Sequence, residues 1–387
     1  MFEAMDRREI TLLCMLDLSK CFDVVPHNGL LRKLELYNVD TRWFESYLAD
    51  HYQQVVTQSR RGSRALSSSL PNPIGTYQGS ALGPLLYSIY ANDMPLYADD
   101  QAYIVQYADD TQVLVSGRPG DIDILTGTME RNLSQLSNWF GKNGMKINAQ
   151  KTQLIALGTR QNLRQIPAIN IKFMNATVSG SPTVRNLGVV FDQCMTFAAH
   201  TDDVVRRCTG ILIGLTHSRH CLPHSTLLTL VQGLVISLIR YCISVYGTCN
   251  ATQTARLQKV LNFAARVVSG RRKFDHISDV LRDLEWFTAH NLYVYHALTL
   301  LKRVLSTSMP DSLSGRLMRR RHVHQRSTRQ DDMLDVPGIR SESGRRRFLY
   351  STVTAFNSLP PDIRELNLRQ FKTELRKHIL ERQLADR

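Results

Sequence analysis

The chain has 387 residues, 43% of them hydrophobic, with 48 Lys and Arg against 34 Asp and Glu for a formal net charge of +14. That much apolar sequence excludes a globally disordered chain and leaves room for two or three domains. The basic excess points to an extended anionic partner, either nucleic acid or a membrane surface.

The charge is unevenly spread. No Asp or Glu occurs from 204 to 274, a stretch holding ten cations from Arg206 and Arg207 to Arg271, Arg272 and Lys273. An uncompensated stripe on a folded domain leaves a positive surface, and phosphate is its usual counterpart. The apolar stretch from Leu227 to Val245 is broken by Gln232 and Arg240 and reads as a buried helix, so no membrane partner is expected. The seven cysteines, Cys14, Cys21, Cys194, Cys208, Cys221, Cys242 and Cys249, are scattered. The first ten residues include Glu3, Asp6 and Glu9, unlike a secretory leader. Reduced thiols in an intracellular compartment are expected, with nucleus and cytoplasm not distinguished.

In chain order, Thr11 to Leu16 is a continuous apolar run ending at Asp17, the pattern of a strand covered on both faces. Pro26 fits the first turn of a helix containing Leu30, Leu31 and Leu34, and a second helix follows through Trp43, Phe44, Tyr47 and Leu48. Another runs from Ser80 to about Asn92, stopped by Pro95. Ala102 to Tyr107 and Thr111 to Ser116 flank Ala108-Asp109-Asp110 as a hairpin. Leu125, Met129, Leu133, Leu136 and Phe140 mark an amphipathic helix. Strand-like pieces follow around Ile147, Leu154 to Leu157, Ile169 to Phe173 and Val184 to Phe191. From about Phe197 to Ser306 the pattern is helical. Residues 307–342 read as a linker, and 343–387 as a last helical piece.

Tyr107-Ala108-Asp109-Asp110 carries the chemistry. Adjacent carboxylates at a hairpin tip raise each other's cost of ionising, and a hard divalent cation offsets that cost. Alone, the tetrapeptide also fits a polar turn. Asp17, at the end of another buried strand, is placed to be a third ligand. A second copy, Tyr97-Ala98-Asp99-Asp100, follows Pro95 with no strand before it, so the copy at 107–110 is the one selected. The group Cys208, His217, His220, Cys221 and His224 lacks the spacing of a zinc finger and reads as polar residues around a helix junction. Arg319–Arg321 and Arg345–Arg347 are basic runs open to nucleic-acid contact, nuclear import or plain solvation.

Leu16 to His27, reading LDLSKCFDVVPH, resembles the first catalytic motif of the reverse transcriptases of non-LTR (LINE-type, jockey-like) retrotransposons. Tyr77-Gln78-Gly79-Ser80 with Ala81 to Leu86, and Tyr90-Ala91-Asn92-Asp93, resemble their second motif and its continuation. Trp139, Asn143 to Lys146, Asn148 and Lys151-Thr152 match the next block, and Arg185 to Val189 the primer-contacting strand pair. Tyr77 stands where the family usually has proline.

The resemblance implies an α/β polymerase palm of the right-hand, reverse transcriptase type over 1–195. A basic α-helical thumb over 196–306 follows, and a helical tail past the linker. It implies an RNA-directed DNA polymerase, a nucleotidyltransferase working on an RNA template, a DNA primer and dNTPs, with no organic cofactor. Asp17, Asp109 and Asp110 would hold two Mg²⁺ ions about 4 Å apart, with Mn²⁺ as a substitute. Phe22 would reject the ribose 2′-hydroxyl, and Gln78 and Gly79 would lie against nucleotide and template. Lys151 would serve as proton donor or charge partner of pyrophosphate, and Leu187 and Gly188 would contact the primer. The finger segment before Asp17 and an amino-terminal endonuclease are expected to be missing. The alternative expectation is therefore a truncated relic that binds nucleic acid without turnover.

Overall fold

The computed structural model describes residues 1–58, 62, 64–323 and 332–385. The chain divides into two compact units, one formed by Arg8–Val184 and the other by Met1–Arg7 with Arg185–Arg387. The division falls at 184/185, about a dozen residues before the first long helix of the second unit begins at Ala198.

The first unit is built on a four-stranded antiparallel sheet. Its strands are β1 (Ile10–Leu16), β2 (Ala102–Tyr107), β3 (Asp110–Gly117) and β4 (Gln153–Leu157), in the order β4-β1-β3-β2. β1 lies between β4 and β3 and is buried on both faces, as its unbroken apolar run requires. Helix α1 (Ile122–Lys142) packs on the sheet through Leu125, Met129, Leu133, Leu136, Trp139 and Phe140, the predicted stripe. The helices His27–Leu36 and Gly83–Ala91 lie where expected, and they pack against each other. Arg42–Leu48 is helical too; it buries Leu48 and packs Phe44 and Tyr47 against the core, while Trp43 stays 58% exposed.

The second unit is mainly helical. Its long helices are α2 (Ala198–Ser218), α3 (Ala251–Ser269), α4 (Ala289–Thr307) and α5 (Leu368–Ala385). The Asp192 carboxylate sets the start of α2 by accepting the N–H groups of Cys194, Thr196 and Phe197 at 3.2, 2.9 and 2.6 Å. Asn250 caps α3 and Thr288 caps α4. The stretch expected as a buried helix runs from His224 to Arg240 with a π turn at Gln232–Ile236. It buries one face only, at Leu227, Val231, Val235 and Ile239. Four-residue steps overshoot a 3.6-residue turn, and the wider π turn absorbs the excess and keeps the stripe in line. Among the described residues, no helix is long and apolar enough to cross a membrane.

Part of the expected linker is ordered into short helices at Asp311–Ser314 and Arg320–Val323, and the Asn357 side chain pairs with both backbone groups of Leu334. Residues 324–331 of that segment lie outside the described residues. The basic run at 345–347 is partly structural. Arg346 donates to the carbonyls of Thr248 and Met195, and Arg347 is largely covered beside Glu3 and Asp6.

Asp6 is buried and accepts the Arg340 N–H at 2.9 Å and the Ser341 hydroxyl at 2.7 Å. Burial pushes its carboxyl up, but the Ser341 hydroxyl, two backbone N–H groups and the Arg347 guanidinium outweigh that and hold it below the usual range. A carboxylate with a depressed folded value stabilises above its unfolded value and loses that stabilisation as pH falls through the folded one. Asp6→Ala should cost about 1–3 kcal/mol at pH 7. In denaturant titrations the gap from wild type should shrink below about pH 4; an equal gap at pH 7 and pH 3 would refute this reading.

Candidate active site on the sheet edge

β1 and β3 pair so that Leu16 lies opposite Thr111, which brings the next residue of each strand, Asp17 and Asp110, to the same edge. β2 and β3 are joined by a two-residue turn, Ala108-Asp109, with Tyr107 opposite Asp110. Ala108 sits in the left-handed region at φ 51°, a conformation costing a residue with a side chain about 1–2 kcal/mol. Three carboxylates from two distant segments thus lie along one rim. The other Tyr-Ala-Asp-Asp copy has a different setting. Tyr97 ends a 3₁₀ turn, and Asp99 accepts the Gln101 N–H at 3.0 Å and lies 3.7 Å from Arg131.

The carboxylates interact without converging. The Asp110 carboxyl is pushed up by burial first, then by Asp109 and Asp17. Asp17 faces the Lys151 ammonium at 3.6 Å, and burial first, then the Asp109 carboxylate, push the Cys21 thiol up. Among the described residues, no three His, Cys, Asp or Glu side chains come close enough together to hold an ion as they stand. The donor set, carboxylate oxygens alone, nevertheless suits a hard cation such as Mg²⁺. The Cys/His group expected at a helix junction gathers no such site either. Cys208 is buried with its thiol toward the Val235 carbonyl at 3.8 Å, while His217, His220, Cys221 and His224 are exposed.

Lys151 is placed by its neighbours. Leu18–Ser19 pairs with Lys146–Ile147, Asn148 donates its N–H to the Asp17 carbonyl at 2.8 Å, and the Asn148 turn then carries Lys151 back toward Asp17. Phe22 stacks on Tyr87 with ring centroids 4.4 Å apart, and its carbonyl accepts the Thr76 N–H at 2.6 Å. Gln78 donates to the Asp23 carboxylate at 2.8 Å. Gly79 has φ 87° in open space, a conformation side chains rarely adopt. Tyr77, in the position of the family's proline, packs its ring against His51 at 4.1 Å and Tyr47 at 5.7 Å.

Leu187 and Gly188 belong to the second unit. They form the turn between Thr183–Asn186 and Val189–Asp192, with φ of 44° and 82°. Tyr241 fixes that turn by donating to the Leu187 carbonyl at 2.8 Å.

Sequence reading missed Lys33. Its ammonium reaches the Tyr90 carbonyl at 2.6 Å and Asp93 at 2.7 Å, and it lies over the rings of Tyr90 and Trp139. It thereby ties two of the motifs together from a third segment. No local pattern announces it, because Lys33 looks like any polar residue on an amphipathic helix.

Residues 3–191 match the model of the reverse transcriptase (RNA-dependent DNA polymerase) family. With the antiparallel sheet and its carboxylate rim in hand, that match makes this part of the chain a reverse transcriptase domain with a polymerase palm-type fold. The chain is 26% identical over 298 residues to the RNA-directed DNA polymerase from mobile element jockey of Drosophila melanogaster, covering 73% of this chain and 31% of that protein. It is 26% identical to the probable RNA-directed DNA polymerase from transposon X-element of the same species, covering 84% and 36%. For the probable polymerase from transposon BS, also from that species, the identity is 27%, covering 76% and 33%. The chain is thus a homologue of the RNA-directed DNA polymerases of jockey-like non-LTR retrotransposons, and it spans about a third of the length of these relatives. Apo telomerase from Candida tropicalis is similar with a TM-score of 0.36 and 12% identity, covering 81% of this chain and 53% of that one.

Crowding at Asp110 has a measurable consequence. A carboxyl raised in the folded state is destabilising once ionised, so Asp110→Asn should raise the unfolding midpoint at pH 7 in metal-free buffer. Solvent keeps the gain under about 1 kcal/mol. Added Mg²⁺ should raise the midpoint of wild type more than that of the variant. Equal responses to Mg²⁺ would contradict a shared cation site.

Proposed function

We propose that the chain is the polymerase portion of a jockey-like non-LTR retrotransposon enzyme, extending a DNA primer on an RNA template with dNTPs. The observation that carries this reading is the pairing of β1 with β3, which sets Asp17 beside the Asp109-Asp110 hairpin. Two divalent ions bound there would supply charge neutralisation for the triphosphate and activation of the primer 3′-hydroxyl. The residues that would hold them are Asp17, Asp109 and Asp110.

The chain's own side chains account for the rest. Asp17 would exchange Lys151 for an ion, which leaves the Lys151 ammonium available to the departing pyrophosphate. Phe22, backed by Tyr87 and anchored through its carbonyl, would present a ring that cannot retreat from a ribose 2′-hydroxyl. Gln78, held by Asp23, and Gly79, with no Cβ, would leave a flat floor for nucleotide and template. The helical unit would serve as the thumb, its acid-free stretch lying along the template–primer backbone, with Leu187 and Gly188 at the primer and α5 in a C-terminal tail. The relic reading is not favoured, because Asp17, Asp109 and Asp110 are all present and the strand pairing brings them to one sheet edge.

Primer extension on an RNA template with Mg²⁺ is the test. Asp109→Ala should lower extension by at least about a hundredfold while leaving the fold intact by circular dichroism. Equal rates in variant and wild type would overturn the assignment. Phe22→Val should change selection more than rate, raising ribonucleotide incorporation relative to dNTPs by about 10- to 200-fold. Unchanged selectivity would remove Phe22 from that role.

A further inference from the structure

In the helical unit, a cavity of about 640 Å³ is lined by residues from the end of α2, the last turns of α3 and the loop after Gly270. That size falls within the range of small-ligand sites. Its cations are Arg219, Lys259, Arg266, Arg271 and Lys273, and its rings are Phe263 and Phe274. Some of this charge is already used. Arg271 bonds the Asp279 carboxylate and the His276 carbonyl, and Arg266 donates one amino group to the Asp275 carbonyl. Cations near helix C-termini also complement the helix dipole, which is the bland account of such a cluster.

Three observations exceed that account. Arg219, Lys259 and Lys273 have no carboxylate partner among the described residues. The Nε of Arg266 is buried without a hydrogen-bond partner, so its guanidinium is not fully used by the Asp275 carbonyl. Phe274 is 88% exposed at the rim, with the Lys273 ammonium 5.5 Å from its ring centre. A phosphate alone would need the cations and not the ring. A membrane surface would need a protruding apolar face, whereas this site is concave and offers a single exposed ring. A duplex hides its base faces, while a single strand presents phosphate and base together.

We propose that this cavity binds one nucleotide of single-stranded nucleic acid, the phosphate held by Arg219, Lys259 and Arg266 and the base stacked on Phe274. This strand-binding site is built from residues of the helical unit alone, and it requires no turnover.

The test uses the full chain and a short fluorescein-labelled oligouridylate, followed by anisotropy, with the matching DNA oligomer and an RNA duplex as further arms. Stacking of one base is worth about 1–3 kcal/mol, so Phe274→Ala should weaken single-strand binding about 5- to 150-fold. Duplex binding should stay unchanged. Arg219→Gln with Lys259→Gln should lower the slope of log affinity against log salt by about one to two. All three side chains are exposed, so thermal unfolding should match wild type. The binding is measured without Mg²⁺ or dNTPs, so it neither needs nor reports turnover at the carboxylate rim. The proposal is overturned if Phe274→Ala binds the single strand as tightly as wild type, or if it loses duplex affinity equally. It is also overturned if Phe274 governs binding to phosphatidylserine vesicles and not to the oligomer.

Discussion

The structure of the candidate site depends on one antiparallel pairing. β1 and β3 are far apart in sequence, and the Leu16–Thr111 register decides whether Asp17 and Asp110 share an edge. A one-residue slip would send every side chain of a strand to the opposite face and separate the carboxylates. β1 therefore does more than fill a core. Ladders on both of its edges, to β3 and to β4, hold the register that positions the charges.

That arrangement is costly as it stands. Burial and two like charges act on Asp110, and Ala108 takes a left-handed conformation at the turn. The Lys151 ammonium, 3.6 Å from Asp17, is a weak substitute for a divalent cation. Strain and charge crowding at one rim, held by a rigid sheet, are what a site built for a cation predicts.

Much of this was legible in the sequence. The apolar run at Thr11–Leu16, the two strands around Tyr107–Asp110 and the stripe from Leu125 to Phe140 each follow a single local period, and each formed as expected. The two Tyr-Ala-Asp-Asp copies were separable because only one has strand-forming sequence on both sides. What stayed hidden depends on partners distant in the chain. Lys33 binds the segment around Tyr90 and Asp93, Asp6 is buried against Arg340 and Ser341, and Arg346 reaches the Thr248 and Met195 carbonyls. The π turn at Gln232–Ile236 was equally invisible, since an apolar run does not announce an added residue in one turn. Charge runs were the least informative signal, as the stretch Arg345–Arg347 divides between solvent and internal bonds.

The central claim is that Asp17 and the second Tyr-Ala-Asp-Asp copy form one cation site. Anomalous diffraction from crystals of the chain soaked in Mn²⁺ tests it directly. The account predicts two peaks about 4 Å apart, bounded by the carboxylates of Asp17 and Asp109, with Asp110 beside them. Peaks at Asp99 and Asp100, or Mn²⁺ bound at the hairpin with Asp17 still on Lys151, would contradict it.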